Sequence, residues 1–460
     1  MPSFQPRYRL IASVSFGILI IACIVQLRTF EGQPSIVPNE ATAVYNNKDL
    51  NWGGILLEYI FPLVSKNGSM SKCPIAEPDQ DCMAKARRSF QTINNLGWPL
   101  LKTTHSEIIL QIERNGDSSS LLEIRLLSPI STGSSNVDLT SSAPLIVWVH
   151  GGGFTVGAAN DALMVNFVQA FGNDKEKNSL AQNAIWASIE YRLAPDNPYP
   201  AAPDDCLQAL DYLVNKYEYT DSSTKETRIG LGRGGGVHVA GVSAGGTLAA
   251  ETTLHALKMG IHIDSLFLDE PVFPLINLPE NAFLLDSPSY RRMANTRVLP
   301  DQWIKWSMAA YAGCRPSEDV TMYHQAPHHA SGDTGNAKEK SLPLCSSYTA
   351  QQAGQIFGGT MSREEWQNAA AVATGKKKDA CQPYLPPVLL VTAKADRFMD
   401  GDEAFGKVYA QAGGNVQHIQ AAASHALYAV TDRGAFKATV AHWSELISQS
   451  NTTRECADTS

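Results

Sequence analysis

From residue 105 onward the chain alternates two hydrophobic periods. Residues 105–113 and 121–128 alternate apolar and polar positions as half-buried strands do, and Asn115-Gly-Asp between them is a turn signal, so the pair predicts a β-hairpin. Short β-like runs follow at 143–149, 184–191, 237–242, 263–268, 387–393 and 415–421. Between several of them, apolar residues recur every three or four positions, over 202–217, 246–259, 401–412 and 433–448, which predicts helices. Strands alternating with helices form a mostly parallel central sheet with helices on both faces, an α/β fold. No internal repeat interrupts the pattern.

The pattern before residue 105 is of another kind. Residues 10–27 (LIASVSFGILIIACIVQL) are 18 positions without a charge, near the lower limit for a helix that spans a bilayer. Arg7 and Arg9 precede the run, so the positive-inside bias predicts a cytosolic tail, a signal anchor within 1–31, and a luminal or extracellular remainder. A cleaved signal peptide would lead to the same compartment and a secreted product. Cysteine usage suits that compartment: Cys73 and Cys82 bracket a short loop and predict a local disulfide, while Cys206, inside a helical pattern, is the expected free thiol. Asn67-Gly-Ser and Asn451-Thr-Thr are N-glycosylation sequons. The chain's 460 residues allow a large core, and its net charge of −8 with no long basic run excludes a nucleic-acid partner. Oligomeric state is not written in the sequence.

Chemistry enters where strands end, because ligands of open α/β sheets bind beyond the carboxyl ends of the strands. The run 143–149 ends in His150 and three consecutive glycines, Gly151, Gly152 and Gly153, which suggests a tight turn, a phosphate cradle or amides aimed at a substrate oxygen. The run 237–242 leads into Gly241-Val-Ser243-Ala-Gly245, followed by a helical pattern. G-x-S-x-G between strand and helix is the nucleophile elbow, a strained turn that lifts a serine out of the sheet, so Ser243 is the candidate nucleophile. In that arrangement an acid and then a base follow the serine along the chain. Asp396, just past the run 387–393, is the candidate acid; Asp400 and Asp402 are better explained as first-turn carboxylates of the next helix. His425 follows the run 415–421 and is the candidate base, whereas His418 falls inside a strand and His442 inside the last helix.

Two motifs point elsewhere and are set aside. Gly230-Leu-Gly232-Arg-Gly-Gly235 has the dinucleotide spacing, but it precedes a strand instead of opening a helix. His324, His328 and His329 lack zinc-site spacing and companion ligands, so neither metal nor cofactor is expected.

His150-Gly-Gly-Gly-Phe154, the stretch from Tyr191 to Asp205 (YRLAPDNPYPAAPDD), Gly241-Val-Ser-Ala-Gly-Gly246, Asp396-Arg-Phe-Met-Asp400 and His425 occur in the order seen in the hormone-sensitive-lipase-like esterases, which the chain resembles over residues 105–449. The resemblance implies an α/β-hydrolase fold and a catalytic triad of Ser243, Asp396 and His425. It also implies an oxyanion hole made by the amides of Gly151, Gly152 and Ala244, with His150 as a scaffold for the glycine loop. It divides the chain into an N-terminal cap or linker (32–104), a core in two parts (105–312 and 383–449), an insertion between them (313–382) and a tail (450–460). The insertion is either a lid over the site or a surface excursion. The implied substrate is a small-molecule or lipid-like ester with a short or medium acyl group. Amide deacetylation and acyl transfer use the same machinery, and a ligand-binding protein on an inert hydrolase scaffold is the reading from a different class. The chain departs from the family's habit at Val242, where an acid is usual, at Phe398, where leucine is common, and at Ala426, where glycine is usual after the histidine.

Overall fold

A computed structural model describes residues 104–130, 139–172, 180–273, 287–293, 298–314, 360–375 and 384–458, with single positions elsewhere that include Cys73, Leu101, Cys345 and most of 81–91. Strand β1 (His105–Arg114) passes through Asn115 and Gly116, at φ 48° and 80°, into β2 (Asp117–Pro129), with Arg114 paired to Asp117. Two successive positive-φ residues form the hairpin turn whose twist matches the strands, which is why Asn-Gly marks it in the sequence.

The strands β3 (Leu145–Val149), β4 (Ile185–Glu190), β7 (Val237–Val242), β8 (Ser265–Asp269), β9 (Val388–Ala395) and β10 (Val416–Ser424) join the hairpin in one eight-stranded sheet of order β1-β2-β4-β3-β7-β8-β9-β10. Only β2 runs against the others: it pairs antiparallel with both β1 and β4, and every other neighbouring pair is parallel. Strands β5 (Glu218–Thr220) and β6 (Thr227–Ile229) form a separate small ribbon. Every residue of β3, β7 and β8 is buried, the condition that makes their sequences continuous apolar runs.

Alternation along β3 feeds two cores. Leu145, Val147 and Val149 face helices α2 (Ala201–Asn215) and α3 (Ala244–Met259), whereas Ile146 and Trp148 face α1 (Ala162–Gly172) and α9 (Arg433–Asp458). On the second face Trp148, Trp186 and Trp443 pack with Phe167, Phe171 and Phe267, and burying each such side chain contributes about 1.5–3 kcal/mol.

Among the described residues, α1, α5 (Asp301–Ala312) and α6 (Arg363–Gly375) have no counterpart in the sequence reading, nor do the single turns α4 (Pro288–Arg292) and α8 (Tyr428–Thr431). In α5, Trp303, Ile304, Trp306, Met308 and Tyr311 are all buried, so the helix has no clean polar face to betray its period. Helix α6 lies within 313–382, yet it packs against the sheet's helical layer: Trp366 meets Phe405 and Tyr409 of α7 (Met399–Gln411) edge-on, and Glu365 pairs with Lys258 of α3. Helix α4 (Pro288–Arg292) is a single turn capped by Ser287, whose oxygen accepts the Tyr290 N–H.

Cys73 and Cys82 are joined, as are Cys314 and Cys345, and Cys206 is a buried free thiol. Two disulfides belong to an oxidising compartment. The segment 10–27, Asn67 and the histidines at 324, 328 and 329 lie outside the described residues; among the described residues no helix is long and apolar enough to cross a membrane.

Candidate active site

Four loops meet at the carboxyl edge of the sheet, one after each of β3, β7, β9 and β10. After β7 the chain reverses into α3 through Ser243, whose φ of 55° and ψ of −127° are unusual for a residue with a side chain. The reversal requires close packing: a Cβ on Gly245 would lie 2.1 Å from the Val149 carbonyl oxygen. Ser243 Oγ lies 2.7 Å from His425 Nε2, and His425 Nδ1 lies 2.6 Å from Asp396 Oδ2. The second oxygen of Asp396 accepts the Phe398 N–H at 3.0 Å. Asp396 and His425 are buried and Ser243 is 8% exposed, the most open of the three. A hydroxyl bonded to an imidazole whose far nitrogen is held by a carboxylate can give up its proton on attacking an electrophile.

The glycine loop passes beside the serine. An added Cβ at Gly151 would sit 3.3 Å from Ser243 Cβ. Gly152 has φ 122°, and a Cβ there would lie 2.2 Å from the Val156 carbonyl oxygen, so the loop closes only with glycine. Gly152 O accepts the Thr155 and Val156 N–H groups, while the amides of Gly151, Gly152 and Ala244 donate to no backbone carbonyl among the described residues. His150 is buried beneath the loop, stacked on Tyr191 with ring centroids 4.1 Å apart, and its Nδ1 is bonded to Gly151 O. Burial lowers its pKa to about 4, partly opposed by the Gly151 carbonyl, so the ring is neutral at physiological pH. Tyr191 Oη donates to His150 O, tying the glycine loop to the end of β4.

The long motif from Tyr191 to Asp205 has a structural explanation. Buried Asp205 accepts the Arg192 backbone N–H and pairs with the guanidinium groups of Arg192 and Arg114, fixing the chain between β4 and α2. Arg87, before the core, donates to the carbonyls of Thr155 and Ala194 and pairs with Asp196, so the N-terminal region grips the loop that carries the glycines. Phe90 and Gly153 both approach Trp303 of α5.

The other candidates are elsewhere. His418 is within β10, bonded through Nε2 to Thr392, and His442 is exposed on α9. Gly230 to Gly235 is the turn before β7. Asp400 accepts the Ser289 N–H of α4 at 2.6 Å, and Asp402 is wholly buried, with its carboxyl pushed well up by desolvation and by Asp396 and Glu270. Burial therefore adds to the first-turn account of Asp402.

Glu270 escaped the sequence reading. It follows β8, is wholly buried, accepts the Ala426 N–H through Oε2, and that oxygen is 3.9 Å from His425 Nδ1. Its one sequence signal is a charge pair, Asp269-Glu270, ending an apolar run.

Comparison with known proteins agrees with this architecture. A family described as alpha/beta hydrolase fold matches residues 146–342. The chain is 32% identical over 152 residues to probable carboxylesterase 6 of Arabidopsis thaliana, covering 32% of this chain and 40% of that protein. It is 30% identical over 174 residues to esterase LipI of Mycobacterium tuberculosis, covering 38% and 46% respectively. The chain thus spans less than half the length of these curated relatives. A thermostable esterase from Pseudomonas putida superposes with a TM-score of 0.53 at 18% identity, over 89% of this chain and 98% of that one, a likeness of fold. The sheet order and these matches define an α/β-hydrolase. Within that fold, the order of the chain's motifs is similar to that of the hormone-sensitive-lipase-like esterases, and relatives named as carboxylesterase and esterase match part of it.

Proposed function

We propose that this protein is a serine carboxylic-ester hydrolase, a reading carried by the hydrogen-bonded series Ser243–His425–Asp396 beside the glycine loop. Ser243 Oγ attacks the ester carbonyl carbon and passes its proton to His425 Nε2. The carbonyl oxygen becomes an oxyanion, received by the amides of Gly151, Gly152 and Ala244; one such donor typically contributes about 3–4 kcal/mol to the transition state. His425 then protonates the departing alcohol, leaving an acyl group on Ser243. Water, deprotonated by His425, cleaves the acyl-enzyme and releases the acid. Asp396 holds the imidazole with Nδ1 protonated, so that Nε2 is free to act as base. Protons move only among these side chains, water and substrate, so the cycle needs no cofactor or metal.

The substrate is a small-molecule or lipid-like ester with a short or medium acyl group and an apolar alcohol. Relatives named as esterases and carboxylesterases support the ester class. The two disulfides and the uncharged run at 10–27 support an anchored protein whose catalytic domain faces a secretory lumen or the exterior. Glycosidase sensitivity at Asn67 and Asn451 tests that orientation.

A fluorophosphonate probe tests the enzyme reading: the native protein is expected to be labelled, and Ser243→Ala to resist labelling. Folded native protein that takes no label would instead favour a ligand-binding role. A p-nitrophenyl ester series from acetate to palmitate then sets the acyl length.

A further inference from the structure

We propose that Glu270 is a positioning residue for His425, acting by tethering the Ala426 amide. The inference rests on the triad reading above and adds a residue to it. Three observations meet at one peptide group. Ala426 has φ 57°, a left-handed conformation that crowds the Cβ of an L-residue, and it immediately follows His425. Glu270 Oε2 accepts the Ala426 N–H from inside the protein and lies 3.9 Å from His425 Nδ1. Glu270 is in turn held by its own backbone, whose N–H donates to Val391 O of β9 at 2.9 Å, and its φ of 46° aims the side chain across the sheet edge. The strained peptide that carries the imidazole is thus anchored to two central strands. Without the tether, Ala426 relaxes toward negative φ and rotates the peptide it shares with His425, opening the 2.7 Å contact with Ser243.

The tether works as a hydrogen-bond acceptor. Burial pushes the Glu270 carboxyl well above the ordinary range, with Asp269 and Asp396 adding to the effect. A glutamine amide oxygen at the same place accepts the same N–H. A methionine of similar shape fills the space with a thioether that accepts only weakly.

The test compares Glu270→Met, Glu270→Gln, Ala426→Gly and the double variant E270M/A426G in the full chain, by steady-state hydrolysis of p-nitrophenyl acetate with melting temperature measured in parallel. E270M is expected to lose on the order of 10²-fold in kcat with KM little changed, the size of effect that a misplaced catalytic group produces. E270Q is expected to recover most of that loss. In E270M/A426G, glycine adopts the left-handed conformation without strain, and kcat is expected to rise at least about tenfold above E270M. Should E270M fail to fold, E270Q against E270Q/A426G asks the same question: under the proposal the glycine brings no gain where the acceptor is intact. E270M with native kcat, E270Q as slow as E270M, or no recovery in E270M/A426G each overturns the proposal. Native protein that neither hydrolyses the ester nor takes a fluorophosphonate overturns the esterase reading itself.

Discussion

Replacing Asp396 by asparagine separates the orientation of His425 from the presence of the proposed nucleophile. In the native site one carboxylate oxygen faces His425 Nδ1 at 2.6 Å and the other accepts the Phe398 N–H at 3.0 Å. An asparagine that keeps its oxygen on Phe398 turns its NH2 toward Nδ1, which must then become an acceptor. The ring proton moves to Nε2, the atom 2.7 Å from Ser243 Oγ, and His425 can no longer accept a proton there, as the proposed mechanism requires. The flipped asparagine instead sets its NH2 against the Phe398 N–H, leaving buried donors unpaired at about 1–3 kcal/mol. Both orientations penalise the D396N variant, and the favoured one inverts the tautomer. The expected loss in kcat is about 10⁴-fold, or roughly 5.4 kcal/mol, with a fold close to native by near-ultraviolet circular dichroism. Steady-state kinetics on a p-nitrophenyl ester, with S243A as the inactive reference, reads the effect. A folded D396N variant within tenfold of native kcat refutes the assignment of Asp396.

Gly152→Ala is expected to lower kcat about 10²–10³-fold, because a Cβ 2.2 Å from the Val156 carbonyl oxygen forces the loop and its amides to move. A folded G152A variant with native kcat would remove Gly152 from the oxyanion site. Asp161 supplies a pH-dependent test. Its carboxyl, buried among Trp148 and the start of α1, holds its proton to about pH 6 against an ordinary 3.8, because desolvation outweighs its bonds from Leu163 N–H and Trp148 Nε1. Below 3.8 both states are protonated; as pH rises toward 6 the unfolded state ionises first, so this group's contribution to stability falls by on the order of 3 kcal/mol and then levels off. Urea denaturation of native protein and Asp161→Asn between pH 4 and 7 should show a flatter dependence in the variant, and equal slopes would contradict the assignment. Removing the Cys73–Cys82 bridge by Cys73→Ser/Cys82→Ser should cost about 2–3 kcal/mol, judged from its short loop, and an unchanged urea midpoint would count against that figure.

Much of this protein is determined locally, and the sequence alone carried that part. Continuous apolar runs mark β3, β7, β8 and β9 because both faces of those strands are buried. Asn115-Gly116 marks the hairpin because few residues tolerate positive φ, and Ser243, Asp396 and His425 stand out because each lies just past a strand's carboxyl end. What escaped has no local signature. Helix α5 is buried over most of its surface, with Asp301 and Lys305 only half-buried; the Cys314–Cys345 pairing depends on where the chain returns; and Asp402 reads as an ordinary first-turn carboxylate until its burial is seen. The tertiary structure also decided the meeting of Glu270 with Ala426, groups 156 positions apart, whose neighbourhood exists only because β8, β9 and β10 lie side by side. Backbone propensity and hydrophobic period are properties of neighbouring residues, whereas a hydrogen bond between distant strand ends depends on the sheet order that brings them together.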